Sequence, residues 1–308
     1  MKKKRVLVTG ASGLVGSALV TALLGHDYVV NALSREERHA DVPDVRFFRW
    51  DVAAGEVDAA CIDGVDAIIH LAGENIGALP WSNRRKQAIL ESRTQSIELL
   101  YGLLGRQPKH AVKSVISASA SGYYNDRGDE WMTEDKPPAP DFLGQTCADW
   151  ERAVSNGRAL GLRTVSLRSG VVLSSVGGIY AKVAHMVKKG LGVIPGSGRQ
   201  WLPWIHIDDA VAMYIFALEH NGIQGVYNMA APEQVSFSTF IRTIAKQQKK
   251  PLWLPRIPGF FLRAVLGQLS EMLLASTRMS VEKIRNAGFV FKYPEIKGAI
   301  EVLEDSRL

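Results

Sequence analysis

VLVTGASGLVGSAL, residues 6–19, is the stretch that decides the fold of this 308-residue chain. A strand-like apolar run ends at Thr9, three glycines follow at a spacing of three residues, and an apolar helical run continues behind them. Gly10 permits a tight turn, Gly13 lets the backbone approach a phosphate, and Gly16 lets the new helix pack close to the strand. Free N–H groups and the positive end of the helix dipole then face an anion, so the stretch predicts a pyrophosphate site.

The surroundings of this glycine loop favour that interpretation over a glycine-rich turn of no special purpose. The first strand opens the chain, Gly25 closes the helix, and a second strand follows over residues 28–33. Strand, glycine turn, helix and strand in this order are typical of a dinucleotide-binding unit. The residues expected to contact the cofactor here are Gly10, Ser12, Gly13, Leu14 and Val15.

The bulk composition is that of an ordinary soluble globular protein, with 46% hydrophobic and 22% charged residues. Four of the net +6 charges lie in the run Lys2–Arg5, which leaves +2 for all other residues. A short basic tip before a buried strand is typical of a solvated gatekeeper that discourages aggregation. We therefore expect a small molecule, and not a nucleic acid, as the partner.

The chain offers no apolar run of about 18 residues, so neither a membrane span nor a membrane partner is expected. The segment 258–275, PGFFLRAVLGQLSEMLLA, comes closest, but Arg263 and Glu271 interrupt it, and it predicts an amphipathic helix. Cys61 and Cys147 lack paired spacing and favour a reducing, cytoplasmic compartment. The seven histidines are scattered, and no metal-ligand spacing is visible.

Arg35 follows the second strand, at the place where a dinucleotide fold reads the adenosine ribose. An acidic residue here would accept from both ribose hydroxyls and repel a 2′-phosphate. A guanidinium suits that phosphate instead, so NADP(H) is favoured over NAD(H). The alternative is a solvated loop arginine, since Arg38 and His39 lie nearby.

Two later strand ends predict further cofactor contacts. After the third strand, Asp51 and Val52 could bind the adenine amine and cover its ring, although Asp51 could equally be a turn residue. The fourth strand, residues 66–70, ends in His70, which we interpret as a packed strand residue and not a catalyst. Small residues directly after His70 let the backbone run close to the cofactor. The residues expected to contact the cofactor here are Leu71, Ala72 and Gly73.

Glu74, Asn75 and Trp81 follow directly, beyond the carboxyl end of the fourth strand. Ligands of open parallel sheets bind in this crevice, so Glu74 and Asn75 are candidate substrate contacts. A long helix is expected from about residue 82 to 105, with basic residues near its start. These oppose the helix dipole; an anionic ligand nearby would relieve this, and an exposed basic face is the other account.

The fifth strand, residues 114–119, runs into the sequence ASGYY over residues 120–124. With this motif a family resemblance becomes specific. LVTGASGLVGSAL, HLAGENI, SASASGYY, PWIHIDDA and GFVFKYP together resemble the epimerase-like branch of the extended short-chain dehydrogenases, a nucleoside-diphosphate-sugar epimerase-like family. The resemblance spans nearly the whole chain.

The resemblance implies a nicotinamide held with its reactive face toward the end of the fifth strand, and a homodimer. It also implies a Ser or Thr that polarises a substrate hydroxyl or carbonyl, and a Tyr that moves the proton. In most relatives a Lys four residues after that Tyr lowers the phenol pKa, because a nearby positive charge favours the phenolate.

The Tyr-x-x-x-Lys pair is missing from the helix that should carry it. That helix reads DFLGQTCADWE, with Phe142 or Leu143 near the tyrosine position and Thr146 or Cys147 near the lysine position. The same spacing does occur at Tyr293 and Lys297, but in the C-terminal tail and with Pro294 directly after the tyrosine, which we interpret as coincidence. The remaining catalytic candidates are Ser119, Ser121, Tyr123 and Tyr124; the other interpretation is a Ser/Gly turn with aromatic packing.

Three further features each allow two interpretations. The glycine-rich loop around Arg199 suits the pyrophosphate of a sugar nucleotide or is a plain surface turn. The pair Asp208 and Asp209 is expected to cap the next helix rather than to perform acid–base work. Cys147 and Glu151 share one helix face, and a buried thiol beside a solvated carboxylate is favoured over a working pair.

Together these observations predict an α/β protein with a Rossmann-type doubly wound parallel sheet and a smaller, mainly helical C-terminal substrate domain. The Rossmann domain is expected over residues 1–175, with 203–230 returning to it, and the substrate region over 176–308. Two functions remain open: an NADP(H)-dependent oxidoreductase or epimerase acting on a small polar substrate, and a non-catalytic NADP(H)-binding regulatory protein. The missing lysine supports the second.

Overall fold

The computed structural model of the chain describes residues 3–38, 42–77 and 81–306, so Lys2 and His39 lie outside the described residues. The strands are β1 (Arg5–Thr9), β2 (Val29–Ser34), β3 (Val45–Asp51), β4 (Glu56–Val57), β5 (Ala67–His70), β6 (Ser114–Ala120), β7 (Trp131–Met132), β8 (Arg163–Ser169), β9 (Val171–Leu173), β10 (Trp201–Leu202), β11 (Trp204–His206), β12 (Gly225–Met229), β13 (Val235–Ser236) and β14 (Arg278–Met279). The α-helices are α1 (Leu14–Gly25), α2 (Asn83–Arg106), α3 (Phe142–Ser155), α4 (Gly178–Lys188), α5 (Ile207–Glu219), α6 (Phe237–Gln247), α7 (Gly259–Leu266), α8 (Glu271–Leu274), α9 (Glu282–Asn286) and α10 (Ile296–Asp305).

The central sheet has the strand order β12-β8-β6-β5-β1-β2-β3-β4. Its pairings are parallel apart from the one between β3 and the short edge strand β4. The chain starts in the middle, adds β2, β3 and β4 on one side, and then returns to add β5, β6, β8 and β12 on the other side. This reversal between β1 and β5 is the point at which doubly wound sheets bind ligands. The predicted Rossmann-type sheet is confirmed.

Side chains of β1 alternate between two apolar clusters, one on each face of the sheet. Val6 and Val8 pack with Leu19 of α1 and Met213 of α5, whereas Leu7 packs in the cluster of α2 and α3. Successive residues of a strand point to opposite faces, so one apolar strand contributes to both clusters. Burial on both faces is why the sequence of β1 reads as a continuous apolar run.

A third apolar cluster lies outside the central sheet and joins α4, α6 and α10 around Trp204 and Phe240. Within it, Ser236 caps α6, because its hydroxyl accepts from the Thr239 N–H at 3.1 Å. The predicted boundary between a Rossmann domain and a substrate region stays a prediction.

The single amphipathic helix expected over 258–275 is wrong in one respect. The segment forms α7 and α8 with a 3₁₀ turn between them, because the chain takes a left-handed conformation at Gly267, with φ of +55°. In the part of the chain that the structure describes, no helix is long and apolar enough to cross a bilayer.

Candidate functional site

The glycine loop connects β1 to α1 in the conformation that its spacing predicts. Gly10 has φ of +68°, and a Cβ built on it would lie 2.9 Å from the backbone carbonyl of Leu71. A Cβ on Gly16 would lie only 2.1 Å from the Gly10 carbonyl oxygen. Side chains are therefore excluded at both positions, because backbone atoms occupy the space. The Gly13 N–H donates to the Gly10 oxygen at 3.0 Å and closes the turn.

Thr9 fixes the loop after β5 against the end of β1. Its buried hydroxyl accepts from the N–H groups of Leu71 and Ala72, each at 3.0 Å. This one oxygen satisfies two backbone N–H groups that lie directly after β5. The loop after β5 is therefore held at a fixed distance from the loop after β1. Sequence reasoning treated Thr9 only as a strand end and missed this role.

The start of α1 is left open to an anion. Gly13 is its N-cap and offers no side chain, and the first turn carries no acidic residue. A Cβ built on Gly177 would lie 3.1 Å from the Leu14 side chain, so the loop that precedes α4 lies beside this helix terminus. Unpaired N–H groups at such a terminus suit a pyrophosphate. The contacts predicted for Ser12 and Val15 stay predictions.

At the adenosine end, Arg35 is exposed directly after β2. Within residues 3–38, 42–77 and 81–306, its guanidinium has no recorded hydrogen bond or ion pair. The Asp51 carboxylate accepts from the N–H groups of Ala53 and Ala54, at 3.0 and 3.1 Å. Asp51 thus holds the turn after β3, as one of its two interpretations proposed, and its contact with adenine stays a prediction, as does that of Val52.

The loop after β5 is tied to α2 by cationic side chains. Arg85 forms an ion pair with the Glu74 carboxylate at 2.7 Å and also donates to the Asn75 carbonyl. Arg93 donates to the Glu74 carbonyl at 3.1 Å, and a Cβ built on Gly73 would lie 3.1 Å from the Arg93 guanidinium carbon. The basic start of α2 therefore neutralises its own crevice loop, and the substrate contacts predicted for Glu74 and Asn75 stay predictions.

His70 is a packed residue, as expected. It is fully buried, and its ring nitrogens lie 2.7 Å from the Ser96 hydroxyl and 3.1 Å from that of Ser117. Burial, with a smaller contribution from Arg93, lowers the pKa of His70 to about 3. The imidazole is therefore neutral at physiological pH.

The end of β6 contains a buried polar network. The Ser119 hydroxyl donates to Glu151 at 2.6 Å, and Glu151 accepts two parallel hydrogen bonds from Arg168, each at 2.8 Å. Arg168 also donates to the Tyr124 hydroxyl at 2.8 Å, and Tyr124 in turn lies 2.8 Å from the Asn228 amide oxygen. We call these five residues the inner network.

The inner network accounts for two of the four catalytic candidates. Tyr124 has no exposed surface, and burial raises the pKa of its phenol to about 12 although Arg168 acts in the opposite direction. The hydroxyls of Ser119 and Tyr124 are both engaged inside the protein. Their catalytic roles stay predictions, and the geometry favours a structural role for both.

Ser121 and Tyr123 differ from them in exposure. Both are half-buried, and neither hydroxyl has a recorded partner in the described part of the chain. The Arg168 guanidinium lies 3.3 Å from the centre of the Tyr123 ring, so a fixed positive charge sits on the face of this phenol. We call Ser121 and Tyr123 the outer pair.

Leu143 and Cys147 of α3 occupy the place beside the outer pair. A Cβ built on Gly122 would lie 3.5 Å from Leu143 and 3.8 Å from the Cys147 sulfur. Burial raises the pKa of the Cys147 thiol to about 12, with a smaller contribution from Glu151. Leu143 has no ionisable group, and the raised pKa disfavours a thiolate at Cys147.

One expectation about α3 is wrong. Glu151 is not solvated: its side chain is 10% exposed and forms the ion pair with Arg168, whose side chain is 3% exposed. Burial of the pair follows from their positions on α3 and on the central strand β8. Sequence reasoning missed Arg168 and Asn228 as members of this network. The available signal was a charged residue inside the apolar strand RTVSLRS, which requires a buried partner.

The acidic pair Asp208 and Asp209 does not cap α5 with its side chains. His206 is the cap, since its Nδ1 accepts from the Asp208 N–H at 3.1 Å. The Asp209 carboxylate instead accepts from the N–H groups of Lys292 and Tyr293 and anchors the C-terminal segment to α5. Tyr293 packs on the His206 ring, with ring centres 4.0 Å apart, which accounts for it without Lys297.

Arg199 lies on an exposed turn. The turn is held by Gln200, whose amide donates to the carbonyls of Pro195 and Leu273. Its phosphate contact stays a prediction. No group of three His, Cys, Asp or Glu side chains suited to a metal ion is found among the described residues.

Comparison with known proteins agrees with this geometry. Residues 6–230 match the NAD dependent epimerase/dehydratase family, and residues 257–303 match a domain of unknown function, DUF1731. The chain is 34% identical to the Epimerase family protein YfhF of Bacillus subtilis over 299 residues, covering 97% of each chain. An epimerase family protein of Mycobacterium leprae is 32% identical over 300 residues, which cover 97% of this chain and 95% of that protein.

Solved structures show the same fold. The human epimerase family protein SDR39U1, crystallised with NADPH, superposes with a TM-score of 0.83 at 28% identity, covering 98% of this chain and 99% of that one. A nucleoside-diphosphate sugar epimerase of Corynebacterium glutamicum gives a TM-score of 0.79 at 32% identity, over 97% of this chain and 57% of that one.

Proposed function

Because the chain belongs to the NAD dependent epimerase/dehydratase family, we propose that it is an NADP(H)-dependent oxidoreductase or epimerase of the extended short-chain dehydrogenase type. Its substrate is a small polar molecule with a hydroxyl or ketone group, a class that includes nucleotide sugars. The outer pair is the observation that carries the proposal, because it leaves two free hydroxyls at the strand end that faces the cofactor crevice.

The residues of the crevice fit a phosphorylated dinucleotide. The N–H groups at the start of α1 would hold the pyrophosphate, because neither a side-chain cap nor an acidic residue competes for them. The free guanidinium of Arg35 would pair with a 2′-phosphate. The human relative crystallised with NADPH supports this assignment. A bound nicotinamide supplies the hydride acceptor or donor of the reaction.

In the proposed mechanism the outer pair handles the substrate oxygen. The Ser121 hydroxyl donates a hydrogen bond to it, and the Tyr123 hydroxyl takes or returns the proton. Arg168 stabilises negative charge on the Tyr123 phenol from the ring face, and the buried ion pair with Glu151 keeps the guanidinium in place. Arg168 is thus a positioning residue that partly replaces the absent lysine.

A second function is favoured by the two residues on α3. Leu143 and Cys147 lie beside this strand end on the helix where the resemblance implies a tyrosine and a lysine, and neither offers a phenol or an ammonium group. In this alternative the protein binds NADP(H) without turnover, and the bound cofactor regulates association with a partner.

One experiment separates the two functions. The nucleotide retained on purification is identified, and nicotinamide absorbance is followed while the full chain is offered ketones and nucleotide sugars. We expect turnover that Tyr123→Phe lowers by roughly 100-fold, the usual contribution of a proton-transfer group. Tight NADP(H) binding without turnover across the panel favours the regulatory function.

The matched control is Tyr124→Phe. It removes the same atom from the neighbouring ring, and we expect it to lower stability rather than the rate constant of the folded enzyme, because Arg168 and Asn228 each lose a buried partner. Turnover that depends on Tyr124 and not on Tyr123 would contradict the assignment of the outer pair.

We also propose a cytoplasmic location and a homodimer. Cys61 and Cys147 are both free and buried, which fits a reducing compartment. The homodimer, formed through helices that flank the sheet, is an expectation from the family. Sedimentation analysis of the purified chain tests it, and a monomer across the concentration range would overturn it.

A further inference from the structure

The segment that carries α7 exposes apolar side chains far from the glycine loop in sequence. Phe260 is 73% exposed, Trp253 68% and Val265 61%, and of the eight residues of α7 only Leu262 is buried. Phe261 of the same helix is exposed as well. A helix of a globular protein normally buries its apolar stripe, so these side chains lack the contacts that apolar residues of this size usually make.

The end of α4 extends this surface. A Cβ built on Gly190 would lie 3.7 Å from the indole nitrogen of Trp253, and the Ile257 N–H donates to the Ile194 carbonyl at 3.1 Å. The loop after α4 therefore packs beside the segment 252–263. Met186 near the end of α4 and Leu191 in this loop are both exposed. We call the combined surface the α7 face; its apolar members are Met186, Leu191, Trp253, Phe260, Phe261 and Val265.

The sequence segments that carry the α7 face are basic. Residues 234–270 carry six Lys or Arg and no Asp or Glu, and the stretch 152–207 also lacks acidic residues. Lys188 and Lys189 are exposed beside Leu191, and Arg263 is exposed on α7. Glu271 follows this segment directly, and its carboxylate lies close enough to Arg263 for the two charges to interact. Since the chain has a net charge of +6, this one segment accounts for a charge as large as that of the whole protein.

We propose that the α7 face docks on an anionic lipid bilayer. Exposed aromatic and aliphatic side chains enter the boundary between headgroups and acyl chains, while the lysines and arginines around them pair with anionic headgroups. The absence of a spanning helix does not oppose this, because an interfacial helix lies in the membrane plane. The inference goes beyond the proposed function and does not depend on it.

A second copy of the chain fits this surface less well. In a two-fold symmetric contact the same patch meets itself, so the basic residues of one α7 face would lie against those of the other. Like charges brought together in this way are repelled, whereas an anionic bilayer is attracted. The sign of the charge therefore decides between the two occupants.

The test is co-sedimentation of the full chain with vesicles of phosphatidylcholine alone or mixed with phosphatidylglycerol. We expect binding to the anionic vesicles that weakens with salt, and little binding to the neutral ones. The double variant Lys188→Gln/Lys189→Gln is expected to weaken binding by roughly fivefold per charge. Phe260→Ser/Phe261→Ser is expected to weaken it by about tenfold or more.

Matched controls use residues outside the α7 face. Lys4→Gln/Lys297→Gln removes the same charge from other exposed positions, and Val176→Ser/Val290→Ser removes apolar groups that are 85% and 84% exposed. Neither control is expected to change vesicle binding, and an unfolding curve checks the fold of each variant. No binding to anionic vesicles, or equal loss in face and control variants, would overturn the proposal. The proposal would also be overturned if the unaltered chain bound neither type of vesicle but formed a dimer, and if the Phe260→Ser/Phe261→Ser substitutions dissociated that dimer.

Discussion

The glycine loop and the β6 end both lie at the carboxyl edge of one sheet, but the first is formed by backbone groups and the second by side chains. At the glycine loop the working parts are backbone N–H groups, and side chains are excluded by contacts such as that of Gly16 with Gly10. At the β6 end the working parts are side chains, held by Glu151 and Arg168 from other elements. A backbone site requires local spacing, whereas a side-chain site requires partners brought together by the fold.

Removing the carboxylate of the inner network is expected to have the largest effect. Glu151→Gln leaves Arg168 buried without its counter-charge, which costs about 3–5 kcal/mol of the free energy of unfolding. The measurement is urea unfolding of both proteins. The control is Asp149→Asn on the same helix, which breaks an exposed ion pair with Arg152 and should change stability by less than about 0.5 kcal/mol. Equal effects of the two changes would show that the inner network is not needed at the β6 end.

A methyl group added inside the glycine loop tests the other region. Gly16→Ala forces the Gly10 carbonyl to move, and we expect a loss of about 2–3 kcal/mol from overpacking, together with loss of nucleotide binding. Gly25→Ala is the matched control at the other end of α1, where a Cβ meets nothing within 4 Å. That change should leave stability equal or raise it by up to about 1 kcal/mol. Normal nucleotide affinity in Gly16→Ala would contradict the backbone account of the loop.

The same contrast explains which parts of the molecule could be predicted from sequence. The glycine spacing and the apolar strands predict the doubly wound parallel sheet and the open start of α1, because each depends on local pattern. The partnership of Ser119 with Glu151 joins residues 32 positions apart, and that of Tyr124 with Asn228 joins residues 104 apart. No local period encodes such pairs, so sequence reasoning treated Glu151 as solvated and left Tyr124 among the catalytic candidates.

The buried His70, whose ring lies 3.1 Å from the Ser117 hydroxyl of β6, is expected to make the protein less stable in acid. Its pKa is lowered by burial from 6.5 to about 3, so the unfolded chain binds a proton between these values while the folded chain does not. Stability from this residue is therefore complete above pH 6.5 and is lost as pH falls, by about 2 kcal/mol between pH 7 and pH 5. Unfolding curves of the protein and of His70→Asn across this range measure it. Equal pH slopes in the two proteins would exclude His70 as the source.

The smallest expected effect is that of Arg35, the side chain that we expect to select NADP(H) over NAD(H). Arg35 is exposed and has no recorded partner among the described residues, so removing it should leave folding unchanged and alter only the choice between cofactors. We expect tighter binding of NADP(H) than of NAD(H), and a preference reduced roughly tenfold or more by Arg35→Asp, because a carboxylate repels a 2′-phosphate and accepts from ribose hydroxyls. Arg46→Asp makes the same charge change at an exposed position paired with Asn31 near the start of β2 and should leave the preference as it is. Affinities of both cofactors for the three proteins decide the matter. Equal affinities in the unaltered protein would mean that even this end of the crevice recognises its ligand through backbone alone.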